Sequence, residues 1–239
     1  MTLLQTAPAS FAPLFAAASA RGATKTYGSR DADTEVHEDG PAVCQFDMYQ
    51  SAKDSGSLHL LARGQHNCLN ATAAMLVAET LHLPMKDVVS RGIEHFTGVE
   101  RRLEELGTAR DITVVDDYAH HPREIAAGLD TFGEDAVVVF QPHTPSRLAA
   151  FFDDFVAVLK RARAVVIVET FRSAREEADP HGRARKLAEA VGGTYAPDGE
   201  TAARAAAGLA RPGAAVLVMG AGDVRPVGER VLELLRTPA

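Results

Sequence analysis

Four apolar runs of strand length, each followed by a helical pattern, constrain the fold of this chain more than any other feature. The runs are Ile112–Val115, Ala136–Phe140, Ala164–Val168 and Ala214–Met219. Strands that are apolar along their whole length are buried on both faces, as in parallel sheets covered by helices. The helical patterns cover Pro122–Phe132, Pro145–Ala162, Gly182–Val191, Thr201–Leu209 and Val224–Leu235. We therefore predict a Rossmann-like α/β domain over residues 93–239.

Residues 1–92 follow a different pattern and are predicted to form a separate, incomplete unit. Two short runs of strand character, Ala42–Met48 and Ser57–Leu61, come first. A helical spacing of apolar residues then extends over Asn67–Leu83. A proline ends that helix and can begin the next one, over Pro84–Glu94, because its nitrogen has no hydrogen to donate inside a helix.

The first 20 residues are apolar and end in small residues, as a secretory signal does. Such a signal starts with basic residues, whereas the first basic residue here is Arg21, and Pro8 and Pro13 interrupt the apolar run. We interpret the segment as a loop followed by a helix over Pro13–Ala20 and expect a cytoplasmic protein. No run approaches the ~18 apolar residues that a membrane helix needs.

Charge and cysteine content exclude several classes of protein. The 25 Lys and Arg residues against 32 Asp and Glu residues give a net charge of −7. This balance argues against a general nucleic-acid binder but leaves a nucleotide open as a ligand. Cys44 and Cys68 are too few for a disulfide framework and form no Cys-x-x-Cys pair for a thiolate zinc site, and they favour a reducing compartment.

Polar and ionisable residues follow each of the four predicted strands. In a parallel sheet these positions meet at the carboxyl edge, where ligands bind. The segments are Asp116-Asp117-Tyr118-Ala119-His120-His121-Pro122, Gln141-Pro142-His143-Thr144-Pro145-Ser146-Arg147, Glu169-Thr170-Phe171 and Gly220-Ala221-Gly222-Asp223. A sheet with a purely structural role does not need these acids, histidines and arginine at one edge, so this edge is the candidate site.

The first of these segments suits three kinds of chemistry: metal binding, proton transfer, and a grip on a ribose and a phosphate. Metal binding is disfavoured because adjacent histidines in an extended loop point apart and no His-x-x-x-His pair lies on a helix. The structural alternative is that Asp116 or Asp117 caps the helix beginning at Pro122, while His120 and His121 only cover the loop.

Two further groups suit a carboxylate and an adenine. Arg147 lies in the first turn of a predicted helix, where a guanidinium and the helix N-terminus together attract an anion. The alternative is a solvated arginine. His66, Asn67 and Asn70 lie at another helix start, where amide side chains can pair with an adenine edge. The alternative there is ordinary capping by Asn67.

Two catalytic loops are missing from the sequence. None of the lysines follows a glycine, so no G-x-x-x-x-G-K-[ST] phosphate loop is present. The absence of a G-x-S-x-G motif counts against a serine hydrolase of the α/β type.

Six motifs, taken in order, resemble the Mur ligase family, in the branch that joins L-alanine to UDP-N-acetylmuramate. They are Gly64-Gln65-His66-Asn67-x-x-Asn70-Ala71, Phe96-Thr97-Gly98-Val99-x-Arg101-Arg102-Leu103-Glu104, Asp116–Pro122, Phe140-Gln141-Pro142-His143-x-x-Ser146-Arg147, Ser173-Ala174-Arg175-Glu176 and Gly220–Asp223. Each is weak alone, and the specificity lies in the set, which spans residues 64–223. Thr26-Tyr27-Gly28 with Asp31-Ala32-Asp33 is also similar to the late part of the family's central domain, so the resemblance covers most of the chain.

The resemblance implies a carboxy-terminal portion of such a ligase. The family's enzymes have a UDP-sugar domain, a central ATP-binding domain and a Rossmann-like C-terminal domain. Residues 1–92 then correspond to an incomplete α/β central domain without its phosphate loop and metal-binding Glu and His, and residues 93–239 to the C-terminal domain. The implied reaction uses ATP and Mg²⁺ to form an acyl phosphate on UDP-N-acetylmuramate, which the amine of L-alanine then attacks.

The resemblance also assigns roles to residues of this chain. The adenine would be held by His66, Asn67 and Asn70. The ribose and the phosphates would be contacted by Arg102 and Asp117. Tyr118, His120 and Arg147 would line the alanine pocket, with Arg147 on the carboxylate. His120 and Arg147 would be the catalytic residues, and no metal ligand is assigned.

One position departs from the family pattern, and several interpretations of the whole chain stay open. Many members have a second arginine where this chain has Thr144, which weakens the carboxylate assignment. Without the phosphate loop we expect no activity from this chain alone, and a partner chain would have to carry the UDP-sugar domain and that loop. The alternatives are a non-catalytic nucleotide- or amino-acid-binding module and a metal-dependent hydrolase built on the first segment. A unit cut within its sheet also predicts oligomerisation or poor solubility.

Overall fold

The computed structural model describes residues 2–5, 24–28, 34–38, 43–48, 56–171 and 182–237. The chain divides into two compact units, unit 1 (residues 1–98) and unit 2 (residues 99–239). Three features singled out in the sequence lie outside the described residues: the helix over Pro13–Ala20, Asp31-Ala32-Asp33 and Ser173-Ala174-Arg175-Glu176.

Unit 1 contains a sheet whose strands lie in sequence order. The strands are β1 (Thr2–Gln5), β2 (Thr24–Gly28), β3 (Thr34–Glu38), β4 (Val43–Met48) and β5 (Gly56–His59). β1, β2 and β3 run parallel, whereas β4 and β5 continue the sheet antiparallel. Strand β4 lies within the predicted run Ala42–Met48, whereas β5 overlaps the predicted run Ser57–Leu61 but ends two residues earlier, at His59.

Helices α1 (Gln65–Thr80) and α2 (Met85–Arg91) follow this sheet, and a short 3₁₀ helix covers Ile93–His95. Pro84 is the N-cap of α2, as its missing amide hydrogen leads one to expect. The second predicted helix is shorter than expected, since Gly92 separates α2 from the 3₁₀ turn.

The buried face of α1 packs a small apolar cluster of Cys68, Ala71 and Met75 against Leu60. Cys68 is disulfide-bonded. The cysteine content favours a reducing compartment, so this bond departs from that expectation, because disulfides persist in oxidising surroundings.

Unit 2 is built on a six-stranded, largely parallel sheet. Its strands are β6 (Glu104–Ala109), β7 (Ile112–Asp117), β8 (Val137–Phe140), β9 (Ala164–Val168), β10 (Thr194–Ala196) and β11 (Ala215–Met219). Their order across the sheet is β10-β9-β8-β11-β7-β6. All neighbours are parallel except the β6–β7 hairpin. The predicted α/β fold with a parallel sheet is thus confirmed for this unit.

Helices cover both faces of the sheet, which is why its inner strands are apolar throughout. They are α3 (Pro122–Phe132), α4 (Pro145–Ala150), α5 (Phe152–Leu159), α6 (Arg183–Val191), α7 (Gly199–Leu209) and α8 (Arg225–Arg236). Helices α3 to α6 pack on one face around Phe140 and Phe155, whose ring centroids are 5.1 Å apart. Helices α7 and α8 pack their alanine, valine and leucine side chains on the other face.

The predicted continuous helix over Pro145–Ala162 is wrong, because the chain leaves helical geometry at Phe151. This residue has φ −119° and ψ 24°, and it ends α4 and precedes α5. Its ring lies 4.8 Å from the ring of His121. The apolar residues keep their helical spacing across Phe151, so the periodicity of the sequence does not reveal the break between α4 and α5.

The order of the strands fixes where the site lies. Strand β11 pairs with β7 on one side and with β8 on the other. The loops after β7 and β8 therefore flank the loop after β11 at the carboxyl edge. The strand order reverses at this point, which is where open parallel sheets bind their ligands.

Candidate functional site

Strand β7 ends in two acidic residues, and the first of them is a fully buried carboxylate held by two arginines. Asp116 Oδ2 accepts hydrogen bonds from Arg101 Nε (3.3 Å) and from Arg225 Nη1 (3.1 Å). Arg225 Nη1 also donates to Glu104 Oε2 (2.6 Å), and Arg101 Nη2 donates to the carbonyl oxygen of Gly220 (2.7 Å). This network ties β6, β7, the loop after β11 and the start of α8 into one rigid edge.

The second carboxylate, Asp117, is 6% exposed and has a strongly shifted pKa. Burial raises the pKa of Asp117 to about 7, and the charges of Glu124 and Asp116 act in the same direction. The guanidinium of Arg102 and the backbone N–H of Ala119, which donates to the carboxylate, lower it. Near neutral pH this carboxyl group is present both with and without its proton, so it can donate to or accept from a ligand hydroxyl.

Two guanidinium groups lie over the ring of Tyr118. Arg101 and Arg102 are 5.0 Å and 5.5 Å from the ring centroid. Arg101 is committed to Asp116 and Gly220. Arg102 is 49% exposed and 3.8 Å from a carboxylate oxygen of α3, so it is the arginine that can reach a ligand phosphate.

The imidazole of His120 is held from its Nδ1 side. Nδ1 lies 2.9 Å from the carbonyl oxygen of Tyr118 and 3.4 Å from Glu124 Oε2. A carbonyl oxygen accepts but does not donate, so the geometry is that of an Nδ1–H donor. The other ring nitrogen, Nε2, is the one left for a ligand.

Helix α3 is capped by His121, and the alternative in which Asp116 or Asp117 caps it is wrong. His121 Nδ1 accepts from the backbone N–H of Arg123 (3.2 Å). The Glu124 carboxylate accepts in return from the backbone N–H of His121 (3.0 Å). This reciprocal pair is a capping box, and it fixes the loop that carries His121 and its neighbour.

The loop after β8 presents an arginine with a shielded, unpaired nitrogen. Thr144 is the N-cap of α4, and its Oγ1 accepts from the backbone N–H of Arg147 (3.3 Å). Arg147 Nη1 is shielded from solvent and has no hydrogen-bond partner within the described ranges. A buried guanidinium nitrogen without a partner costs free energy, so this atom is a candidate for binding an anion.

Other buried polar atoms without a partner gather at the same edge. Gln141 Nε2 donates to Asp223 Oδ1 (3.0 Å), which leaves Gln141 Oε1 unpaired, and Thr170 Oγ1 is unpaired as well. With Asp116 Oδ1 and Arg147 Nη1, these four are the buried side-chain nitrogen and oxygen atoms without a partner in the part of the chain that the structure describes. Such atoms are uncommon in a folded protein, and their collection at one edge indicates a binding surface.

A row of rings crosses the loops after β9, β8 and β7. Phe171 stacks on His143 with centroids 5.6 Å apart and planes 8° apart. The ring centroids of His143 and His120 are 5.9 Å apart, and those of His120 and Tyr118 are 5.5 Å apart. Both pairs have an edge-to-face arrangement. A Cβ atom at Gly222 would lie 2.6 Å from the ring of Phe171, so the loop after β11 needs a glycine to fit beneath this row.

The three predicted adenine-binding residues lie in the first two turns of α1 in unit 1. The helix begins after Gly64, which is its N-cap. Asn67 does not act as the N-cap, because its side-chain nitrogen donates back to the carbonyl oxygen of Arg63 (2.7 Å). Asn70 is exposed, and His66 is half-buried.

The structure brings together only part of the predicted set. Asp117 is the last residue of β7, Tyr118 and His120 lie in the loop that follows it, and Arg102 lies over the ring of Tyr118. Arg147 lies in the first turn of α4, on the far side of β11 from that loop.

Sequence reasoning missed three contributors: Arg101, Glu124 and His143. Glu124 has a local signal, since a glutamate three residues after a cap is the capping-box pattern. Arg101 has no such signal, because its carbonyl partner is 119 residues away along the chain. His143 belongs to a strand-end segment, but its ring neighbours come from other loops.

No three His, Cys, Asp or Glu side chains converge to hold a metal ion in the part of the chain that the structure covers. In the same ranges, no helix is both long and apolar enough to span a membrane.

The sequence of the chain is similar to known ligases. A family model described as "Mur ligase, glutamate ligase domain" matches residues 101–222. The UDP-N-acetylmuramate–L-alanine ligase of Thermobifida fusca is 38% identical over 230 residues, 88% of this chain and 48% of that protein. The ligase of the same name from Mycolicibacterium smegmatis is 40% identical over 189 residues, 75% of this chain and 39% of that protein. The chain spans less than half the length of these curated relatives.

Solved structures share the fold at lower identity. The UDP-N-acetylmuramate–alanine ligase of Thermotoga maritima gives a TM-score of 0.70 at 22% identity, covering 88% of this chain and 47% of that one. A murein peptide ligase of Psychrobacter arcticus gives a TM-score of 0.62 at 17% identity, covering 99% and 52%. At these identities the likeness concerns the fold.

Proposed function

The chain belongs to the Mur ligase family, and from this premise we propose that it is the C-terminal portion of an ATP-dependent UDP-N-acetylmuramate–L-alanine ligase of peptidoglycan precursor synthesis. The names of the relatives at 38–40% identity support this substrate pair. In this proposal residues 1–92 are an incomplete central domain and residues 93–239 the C-terminal domain. The start of the family match at residue 101 and the division into compact units after residue 98 support that organisation.

The observation that carries the proposal is the unpaired, shielded Nη1 of Arg147. An amino acid brings a carboxylate, and a guanidinium nitrogen without a partner gains a charge-assisted hydrogen bond when that carboxylate arrives. The helix N-terminus capped by Thr144 adds partial positive charge at the same place. In this proposal Arg147 therefore fixes the carboxylate of L-alanine.

His120 and Tyr118 form the other part of the proposed acceptor pocket. The α-amine of an amino acid is mostly protonated near neutral pH and must lose a proton before it attacks an acyl phosphate. His120 Nε2 is the basic atom available for that proton, because Nδ1 faces the carbonyl oxygen of Tyr118. The amine then forms the amide bond, and inorganic phosphate leaves from the tetrahedral intermediate.

The nucleotide side of the proposal uses Arg102 and Asp117. The half-exposed Arg102 would contact phosphate oxygens, and Asp117 would bind a ribose hydroxyl with its buried carboxyl group. By the resemblance, His66, Asn67 and Asn70 are proposed as adenine contacts.

The family reaction also needs Mg²⁺, which neutralises charge on the transferring phosphoryl group. The described residues offer no three-ligand cluster for a metal ion. We therefore assign Mg²⁺ no ligand among the described residues and derive no step through it. The alternative of a metal-dependent hydrolase is disfavoured for two residues of its segment, since Asp116 binds two arginines and His121 caps α3. Metal analysis of the purified protein tests it.

The proposal places the chain in the cytoplasm, where nucleotide precursors are made, without nucleic-acid or membrane partners. The disulfide at Cys68 is the observation against that compartment. Alkylation of free thiols in cells before lysis, followed by mass spectrometry, decides whether the bond exists there.

Isothermal titration of L-alanine into the purified chain tests the acceptor pocket. We expect binding in the millimolar range or tighter, weakened about tenfold or more in Arg147→Ala, because a hydrogen bond to a charged group contributes roughly 1.5–3 kcal/mol. Arg123→Ala is the matched control, since it removes an exposed arginine from the first turn of α3 and should leave the affinity unchanged.

Two results would count against the proposed pocket. One is equal binding of L-alanine by the wild type and Arg147→Ala. The other is loss of binding in Arg123→Ala to the same extent. If neither ATP nor L-alanine binds the wild type, either the pocket needs the missing domains to form or the chain is a remnant with no activity of its own, and the alternative of a binding module fails as well.

A further inference from the structure

Glu124 makes contacts that a helix cap does not require. Besides the capping-box bond from His121, its Oε2 accepts the backbone N–H of His120 (2.8 Å) and lies 3.4 Å from His120 Nδ1. Its Oε1 lies 3.8 Å from Arg102 Nη1. A capping box needs only the bond from His121. Glu124 therefore contacts both the histidine and the arginine to which the proposed function gives roles.

The surroundings of Nδ1 determine which nitrogen of the neutral His120 ring carries the hydrogen. The Tyr118 carbonyl oxygen, at 2.9 Å, is an acceptor. An ionised Glu124 carboxylate on the same side is an acceptor as well. Two acceptors at Nδ1 favour the hydrogen on that atom, and Nε2 then keeps its lone pair.

We propose that Glu124 is a positioning residue that holds His120 as the Nδ1–H tautomer, with Nε2 oriented as a proton acceptor for an incoming amine. An acid that orients a histidine base through its Nδ1–H is a recurring device in enzymes. The inference rests on the proposed function for the identity of the amine. The tautomer itself is a property of the free chain and can be measured without any substrate.

The charge of Glu124 also reaches the neighbouring carboxylate. It is one of the causes that raise the pKa of Asp117, after burial. Glu124→Gln is therefore expected to lower the pKa of Asp117, which ¹³C NMR of the carboxyl carbon can follow. A Glu124 side chain that acted only as a neutral hydrogen-bond acceptor for the helix cap would leave that pKa unchanged.

Long-range ¹H–¹⁵N NMR of the full chain, labelled with ¹⁵N-histidine, reads the tautomer of each ring at alkaline pH. His120→Gln identifies the signals of His120. In Glu124→Gln the amide oxygen still accepts the backbone N–H groups, so the helix cap is kept while the charge is lost. We expect the wild type to be the Nδ1–H form and the ratio of Nδ1–H to Nε2–H to fall by about three- to tenfold in Glu124→Gln.

Asp130→Asn is the matched control, because it removes a carboxylate charge from the same helix at an exposed position that pairs with Arg161. Its His120 tautomer should equal that of the wild type. An Nε2–H ring in the wild type overturns the inference, as does an unchanged ratio in Glu124→Gln or an equal shift in Asp130→Asn. If Glu124→Gln does not fold, Glu124→Asp is measured in its place. Its shorter side chain keeps the charge but moves the carboxylate away from His120 Nδ1, so the ratio is again expected to fall, and an unchanged ratio overturns the inference. The L-alanine titration decides the proposed function separately.

Discussion

Replacement of Asp117 by asparagine should stabilise the folded chain at neutral and alkaline pH, although it removes a proposed ribose contact. Burial raises the pKa of Asp117 from its ordinary value of 3.8 to about 7. The carboxyl group thus binds its proton more tightly in the folded chain than in the unfolded one. Folding is favoured while the proton stays on, and this part of the stability is lost as the pH rises from about 4 to about 7.

The size of the effect follows from the two pKa values. The difference between a pKa of 3.8 and a pKa of about 7 changes the free energy of unfolding by about 4 kcal/mol at most, since one pKa unit equals about 1.4 kcal/mol. Asparagine is uncharged at every pH, and its side-chain oxygen can still accept the backbone N–H of Ala119. We therefore expect Asp117→Asn to exceed the wild type by about 2–4 kcal/mol above neutral pH and to equal it within about 1 kcal/mol in acid.

Urea denaturation followed by circular dichroism, at about pH 4 and about pH 8, measures this difference. Asp154→Asn is the control, because it makes the same change of charge at an exposed position of α5. The reasoning fails if the advantage of Asp117→Asn is the same at both pH values, or if Asp154→Asn shows an equal rise with pH. Either result would mean that burial of this carboxylate does not control its protonation.

Two further predictions concern the loop after β11 and the activity of the chain. In Gly222→Ala the new Cβ would meet Gln141 Oε1 and the ring of Phe171, each at 2.6 Å, so Phe171 must move away from the ring on which it stacks. We expect the affinity for L-alanine, measured by titration calorimetry, to fall about tenfold, as the loss of about 1.4 kcal/mol would cause. The wild-type chain mixed with ATP, Mg²⁺, UDP-N-acetylmuramate and L-alanine should form no UDP-N-acetylmuramoyl-alanine, because the sequence has no phosphate loop. Chromatographic detection of that product would contradict the fragment interpretation.

Gly208→Ala is the control for the glycine substitution. A Cβ at Gly208 in α7 meets no atom within 4 Å, and alanine is the better helix former by about 1 kcal/mol. Its affinity for L-alanine should match that of the wild type. Equal weakening in both variants would show that the loss does not come from contact with Phe171.

The apolar strands of unit 2 could be located from the sequence because burial on both faces leaves a direct composition signal. Strand β9 occupies Ala164–Val168, the residues of its apolar run. Strand β6 (Glu104–Ala109) has no such signal in its sequence, because it lies at the edge of the sheet and none of its residues is fully buried. Its turn to β7 uses Arg110 and Asp111 at φ 52° and 59°, positions where Asn-Gly is the usual sign of a hairpin.

The site could be located to an edge of the sheet, but its contacts could not be predicted. The rule that ligands bind after parallel strands needs only the strand positions. The pairing of Arg225 with Glu104, 121 residues apart, depends on where the last strand inserts into the sheet. The contact between His120 Nδ1 and the Tyr118 carbonyl oxygen likewise depends on backbone geometry that no spacing of residues encodes.

The place of β11 in the sheet has a consequence for how the chain is made. It follows the other five strands of its sheet in the sequence and is translated after them, yet it separates β7 from β8. Until Ala215–Met219 emerge, the facing edges of those two strands carry unpaired peptide groups, which favour pairing with other chains. Translation that stops before β11 therefore yields a sheet with two unpaired strand edges instead of a smaller intact sheet. A chaperone that shields unpaired strand edges is needed most in the interval just before β11 is translated.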